Sequence, residues 1–244
     1  MIKLSVITPT IYPKRLEIVR KVLQNQTFGD FEWLIGSPFD PKIKEARWIR
    51  DDFKGGFWSL NRVYNRLFQE ASGGLLVSLQ DNIWILPNGL EKFWVNYEAT
   101  RGIISGVGDQ YAKLDDWGKP IEKVWEDPRK TDKYGSFYEC NWNDAEFNWC
   151  AIPRGAVFEA GGMDEGLDFL GYGGDQFQLC ERLNDLGCKF YLDQTNESFT
   201  LRHGRKEGWD KNHVLHNGAY DKRKSELKEK GLWPILNYLK KVIY

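Results

Sequence analysis

The stretch 60-LNRVYNRLFQEASGGLLVSLQDN-82 decides the fold. Leu60, Val63, Tyr64, Leu67 and Phe68 recur at the spacing of one helical face. Gly73-Gly74 closes that helix, since glycine tolerates the backbone turn that ends helices. Leu75–Leu79 then reads as a continuous buried strand, and helix into buried strand is half of a βαβ unit. Upstream, Lys3–Thr8 is a β-branched strand stopped by Pro9. Leu16, Val19, Val22 and Leu23 mark a helix that ends in the polar Gln24–Gly29. Phe31–Ile35 is a second strand, closed by Gly36-Ser37-Pro38, and Gly89–Tyr97 is a further helix after Pro87. Strand and helix alternate throughout, which predicts an α/β chain with a mainly parallel central sheet flanked by helices.

Beyond Ile103 the rhythm fades. Short β-like pieces, Ile103–Val107 and Phe147–Ile152, are separated by charged turn material such as Asp127-Pro128-Arg129-Lys130, a smaller β region. A helix signal from Arg154 leads into the glycine-rich Gly161–Gly174. Next come a helix over Gln176–Leu186, a strand at Lys189–Leu192 and a Lys-rich helical tail, Lys211–Tyr244. No repeat, linker or low-complexity segment interrupts the 244 residues, so a single domain is expected.

Composition excludes several classes. Hydrophobic residues at 41 % and charged residues at 28 % give a globular balance. Thirty-four basic against 35 acidic residues leave a net charge of −1, so bulk electrostatics favours neither nucleic acid nor an anionic membrane. A local patch of Arg202, Arg205, Lys206, Lys211, Lys222, Arg223 and Lys224 keeps a DNA partner open. No apolar run approaches the roughly 20 residues of a membrane span. The opening residues are too β-branched for a signal peptide, so a cytoplasmic protein is expected. The tail around Leu232–Tyr244 allows at most peripheral membrane contact. Cys140, Cys150, Cys180 and Cys188 form no C-x-x-C pair and read as reduced thiols. Eleven tryptophans exceed what a core needs and suggest flat faces that stack on sugar rings or bases.

In an open parallel sheet, ligands sit beyond the carboxyl ends of the strands. That rule selects Thr8-Pro9-Thr10, Gly36-Ser37-Pro38 and Gln80-Asp81-Asn82. The last puts oxygen donors at a sheet edge, suited to Mg²⁺ or Mn²⁺ on a diphosphate, or simply to a turn. Gly171-Tyr172-Gly173-Gly174-Asp175 lets backbone approach a ligand and sets a carboxylate at a helix start. Asp175 there is a general base, an N-cap, or both. His203, in Leu201-Arg202-His203-Gly204, is a metal ligand or a satisfied polar group.

Together these pieces resemble the family 2 glycosyltransferases of the GT-A fold. Leu4–Thr10, Gln26-Thr27 and Phe31-Glu32 look like that family's first strand, helix and second strand. Asn65, Ala71 and Gly73 precede the Asp-x-Asp position, on which Gln80-Asp81-Asn82 falls, with Pro87 beyond. Gly161-Gly162-Met163-Asp164-Glu165 is similar to the family's acceptor segment. Gly171–Leu183 resembles the Gly-Gly-Glu-Asp segment of related galactosyltransferases. The resemblance implies a metal-assisted, inverting single displacement from a nucleoside-diphosphate sugar, with a UDP-sugar favoured, to a glycan, lipid-linked or other hydroxyl acceptor. It implies Asp175 as base, and Thr8, Pro9, Thr10, Asp40, Arg62, Asn65, Gln80, Asp81 and Asn82 against the donor. Asp81, Asn82 and His203 would hold Mn²⁺ or Mg²⁺, and Trp149, Gly173, Gly174 and Asp175 would meet the acceptor. Residues 1–100 would then be the nucleotide-sugar half, 101–204 the acceptor and catalytic half, and 205–244 a lid loop and C-terminal helices.

The departures matter. Gln80 and Asn82 replace both acidic ends of Asp-x-Asp, and Gly36-Ser37 stand where an Asp usually contacts the base, with Asp40 the possible substitute. A second alignment of the Glu-Asp pair would put Gln176 at the base position. Two alternatives therefore stand beside the enzyme: the same chemistry on modified DNA or protein, and a non-catalytic nucleotide-sugar-binding protein.

Overall fold

The computed structural model describes residues 2–53, 59–114, 120–169, 175–201 and 218–239. In chain order it contains β1 (Leu4–Pro9), α1 (Leu16–Gln24), β2 (Phe31–Ser37), β3 (Arg47–Arg50), α2 (Leu60–Glu70), β4 (Leu75–Leu79) and β5 (Ile83–Ile85). There follow α3 (Gly89–Thr100), β6 (Ile103–Leu114), β7 (Pro120–Trp125), β8 (Phe137–Cys140), β9 (Trp149–Pro153) and α4 (Arg154–Glu159). α5 (Asp175–Asp185), β10 (Phe190–Leu201) and α6 (Ala219–Glu229) complete the set.

One sheet joins all ten strands, in the order β3-β2-β1-β4-β9-β6-β10-β5, with β7 on β6 and β8 on β10. β1, β2, β3 and β4 are parallel to one another, as the βαβ rhythm predicts. β9 enters antiparallel between β4 and β6, and β10 returns parallel to β6. The sheet is buried by helices on both faces. Leu75, Val77 and Leu79 join the α1 and α3 side chains, whereas Leu76 joins the α2 side with Val63, Tyr64, Leu67 and Phe68. The N-cap of α2 is Ser59, whose hydroxyl accepts from the Arg62 amide at 3.2 Å.

The period-2 alternation of β6 and β10 separates two surfaces. Gly108, Gln110, Ser198 and Thr200 line a polar cavity, while their neighbours Tyr111 and Phe199 line an apolar groove with Trp84.

Segment 160–168 ties the second half to the tail. The Leu236 amide donates to the Ala160 carbonyl at 2.9 Å, and that of Tyr238 to Gly161 at 3.2 Å. Gly161 is fixed twice over: its φ is +75°, and a Cβ would collide with the Leu236 carbonyl. Asp164, fully buried, accepts from Arg223 at 2.7 and 2.8 Å, Gln178 at 3.0 Å, Tyr238 at 3.0 Å and the Gly166 amide at 3.0 Å. Burial pushes its pKa up, but the Arg223 and Gln178 bonds outweigh that and hold the carboxyl below its ordinary range. This part of the expected acceptor segment therefore anchors α6 and the tail.

All four cysteines are free thiols, with Cys150 and Cys180 buried. No helix among the described residues is long and apolar enough to cross a membrane.

Candidate functional site

Parallel pairing brings the carboxyl ends of β1, β2 and β4 to one edge, with Pro9 opposite Gly36 and Ile7 opposite Ser78. Backbone bonds extend this register past the strands: the Thr10 amide donates to Gly36 at 2.9 Å and the Asp51 amide to Ser37 at 3.0 Å. Asp81 lies at this edge, 7 % exposed, and the Thr10 hydroxyl donates to its Oδ2. The Tyr12 amide donates to the Thr10 hydroxyl at 2.9 Å, and Arg15 Nη1 stands 3.4 Å from Asp81 Oδ1. The Arg15 guanidinium lies 4.1 Å from the centre of the Tyr12 ring, which sets its direction. Asn82 is equally sheltered at 8 % exposure. Asp81 is thus drawn against the loop after β1, at the strand ends. Arg15 was not expected, because it lies 66 residues from Asp81 and reads as the polar entry to a helix.

The other donor candidates divide. Thr8 is buried and accepts from the Trp33 indole at 3.0 Å, and Pro9 is buried beside it. Asp40 is exposed and paired with Lys42 at 2.6 Å. Arg62 grips buried Asp51 at 3.1 and 2.9 Å. Asn65 donates to the Met163 carbonyl and Glu165 at 3.0 Å each, and accepts from the Met163 amide at 2.7 Å. Arg62 and Asn65 therefore hold neighbouring segments together. His203, Gly173, Gly174 and the loop 204–217 lie outside the described residues. Of the basic patch, Arg223 pairs with Asp164 and Lys224 with Glu181.

Asp175 is the first residue of α5, and its Oδ1 accepts from the Gln176 amide at 2.9 Å. The Gln176 side chain accepts from the Phe147 amide at 3.3 Å, which brings the start of α5 to the segment entering β9. Negative charge on Asp175 reaches Tyr64, whose hydroxyl pairs with Ser78 at 2.9 Å on β4. It also reaches Asp168, which sequence reasoning missed. Asp168 accepts from the Ser59 hydroxyl and, at 3.1 Å, from the Asn61 amide. Burial, with Asp175 and Glu165 adding repulsion, pushes its pKa to about 6. A folded-state pKa above the unfolded one contributes stability at low pH that is lost as pH rises through about 6. Asp168→Asn is expected to gain in Tm relative to wild type between pH 4.5 and 7.5. A constant difference across that range would refute the shift.

A polar cavity of about 230 Å³ adjoins this edge. The Gln80 amide donates to the Asn148 carbonyl at 3.2 Å, so the cavity's wall begins one bond from the Asp81 turn. Trp149 forms part of that wall but is 1 % exposed, bonded to Asn196 at 3.1 Å and packed on Phe93. It is a core residue there, and the open indole in the cavity is Trp125, 42 % exposed. Glu146 also lines it. Although 41 % of its side chain meets solvent, desolvation of the carboxyl raises its pKa, against the opposing pull of Arg129.

Among the described residues no group of three His, Cys, Asp or Glu can hold a metal ion by itself. The Gln80 side chain bonds the buried Tyr64 hydroxyl, so the oxygens left for a cation are those of Asp81 and Asn82, a set that suits a hard cation taking its remaining oxygens from a diphosphate and water.

No protein-family model matches the chain, and no curated protein does at a significant level. Solved structures do. GalNAc-T7, crystallised with UDP, GalNAc and Mn²⁺, superposes with a TM-score of 0.62 at 16 % identity, covering 86 % of this chain and 45 % of that one. TarS of S. aureus, residues 1–349, gives a TM-score of 0.58 at 10 % identity, covering 82 % of this chain and 60 % of its own. The chain thus spans about half the length of these two GT-A glycosyltransferases. What it shares with them is their architecture: the chain has the GT-A fold.

Proposed function

We propose that this chain transfers a sugar from a nucleoside-diphosphate donor, a UDP-sugar in the first instance, to an acceptor hydroxyl. The observation that carries this reading is the placement of Asp81 beyond β4, bonded by Thr10 and faced by Arg15, on the ligand edge of a GT-A sheet. In this reading residues 1–100 bind the nucleotide sugar and 101–204 supply the acceptor and catalytic groups, with a lid and C-terminal helices over 205–244. Thr10 orients Asp81. Arg15 supplies positive charge beside it. A divalent cation on Asp81 and Asn82, completed by His203, would neutralise the diphosphate as it leaves.

Across the edge Asp175 takes the proton from the acceptor hydroxyl. The oxygen forms its bond to the anomeric carbon as the bond from that carbon to the diphosphate oxygen breaks. One such displacement inverts the anomeric centre. The N-terminal turn of α5 favours the ionised carboxylate needed for this step.

The test is thermal stabilisation by UDP, with Mn²⁺, Mg²⁺ or EDTA, on wild type and Asp81→Ala. UDP is expected to raise the wild-type Tm. Asp81→Ala is expected to bind UDP at least tenfold more weakly, and chelation should weaken wild-type binding in the same direction. Equal UDP affinity in the two proteins would remove Asp81 from the donor site. No shift with UDP, GDP, dTDP or CMP would remove the donor reading altogether.

A further inference from the structure

The polar cavity beside the Asp81 turn has a lining that selects among acceptors. Its walls carry an amide on each of two segments, Gln110 and Asn148, hydroxyls on Ser198 and Thr200, one carboxylate on Glu146, and the open indole of Trp125. Gly106 and Gly108 of β6 also line it, where a Cβ would collide with the Trp149 ring and with the Ser198 hydroxyl. We infer that this cavity takes one neutral, polyhydroxylated ring of a glycan acceptor, seated against Trp125. The inference rests on the proposed transferase reading and narrows its acceptor from any hydroxyl compound to a carbohydrate.

Charge argues for a neutral ligand. The lining's cation, Arg129, is already committed. Its Nε donates to Asp127 at 2.9 Å, and its Nη1 to the Asp144 carbonyl at 2.7 Å and the Ser105 hydroxyl at 3.3 Å. Glu146 stands 3.6 Å from its Nη2. One guanidinium therefore answers two carboxylates, and a phosphate entering the cavity would meet net negative charge. Among the described residues of the lining, a DNA backbone, a phosphorylated glycan or a lipid phosphate finds no cation beyond Arg129. Sugar hydroxyls, by contrast, both donate and accept, which matches amides, hydroxyls and a carboxylate.

Shape and surface agree with this. At about 230 Å³ the cavity is smaller than a typical drug-sized site, a scale that suits a single sugar ring. The apolar C–H face of such a ring covers an indole, whereas its rim of hydroxyls needs polar partners. Trp125 is paired with Gln110 across β6 and β7, so the indole and that amide share one register position. The Gln80–Asn148 bond then places a ring in this cavity next to the turn that carries Asp81.

The experiment measures binding by saturation-transfer NMR with neutral oligosaccharides of hexoses and N-acetylhexosamines. Sialylated and phosphorylated counterparts and a DNA duplex serve as rivals. Each is run with and without UDP, on wild type, Trp125→Ala, Trp125→Phe and Thr200→Val. Neutral glycans are expected to bind wild type. Trp125→Ala should weaken them at least tenfold, Trp125→Phe should keep most of the affinity, and Thr200→Val should fall between. The UDP-induced rise in Tm should be the same in all four proteins, which also reports that each is folded. Preference for the anionic ligands, or Trp125→Ala binding as wild type does, would overturn the assignment. So would the absence of neutral-glycan binding while UDP still stabilises the protein. Glycan binding that depends on Trp125 without any UDP effect would leave the cavity assignment standing and sink the donor reading instead.

Discussion

Asp175→Asn is expected to slow sugar transfer by about a hundred- to ten-thousand-fold, the range that a positioned general base contributes. The amide keeps the shape of the carboxylate, and its oxygen can still accept from the Gln176 amide, so α5 should start as before. What it loses is the capacity to take a proton at neutral pH. The readout is UDP released from a UDP-sugar in the presence of neutral glycan, alongside UDP affinity. Affinity should hold within about twofold while turnover collapses, because Asp175 acts on the acceptor side. A rival carboxylate sits in the adjoining cavity, and Glu146→Gln is the control. Collapse in that variant, with less than a tenfold loss in Asp175→Asn, would move the base to Glu146.

Asp164→Ala is expected to cost about 3–5 kcal/mol, since it leaves the Arg223 guanidinium without the buried carboxylate that balances it. For a chain of this size that corresponds to a fall in Tm of roughly 10 °C or more. Arg223→Met should cost a similar amount for the reciprocal reason. The double variant Asp164→Leu/Arg223→Met should recover part of the loss, because neither partner of the pair is then left facing a missing one, although buried Arg182 still loses the charge of Asp164. Strictly additive losses would show that the ion pair does not hold α6. The sign of the pH dependence follows from the depressed pKa of Asp164. Its contribution is complete at neutral pH and is lost as pH falls through the carboxylate range.

The first hundred residues were legible because β1, β2 and β4 are largely buried and write themselves as short runs dominated by apolar residues, broken by Ser5, Thr8, Glu32 and Ser78. The second half hides its strands. β7 is mostly exposed and β5 is three residues long, too little for a periodic signal. β10 is predicted only as far as Leu192, because its polar middle, Asp193 to Glu197, carries a register shift that breaks the alternation. The site shows the same division. Asp81 and Thr10 follow from strand ends, a local rule. Arg15, Asp168 and Trp125 depend on contacts between distant segments. The excess of tryptophan was visible in composition, yet which indole stays open is settled by packing: Trp149 is enclosed by Phe93 and Asn196, and Trp125 is not. The resemblance likewise set Arg62 and Asn65 against a donor while saying nothing of Asp51 or Met163, the partners that hold them.

The ladder between β4 and β9, with Leu79 opposite Trp149 and the Gln80–Asn148 bond continuing it, has a consequence for design. It acts as a fixed gauge. The separation between the Asp81 turn and the polar cavity is counted in steps of about 4.8 Å between strands, with no flexible spacer in the count. In the proposed reading, side chains on β6, β7 and β10 could be exchanged, and with them the acceptor preference, while the reach of one compartment to the other stays constant.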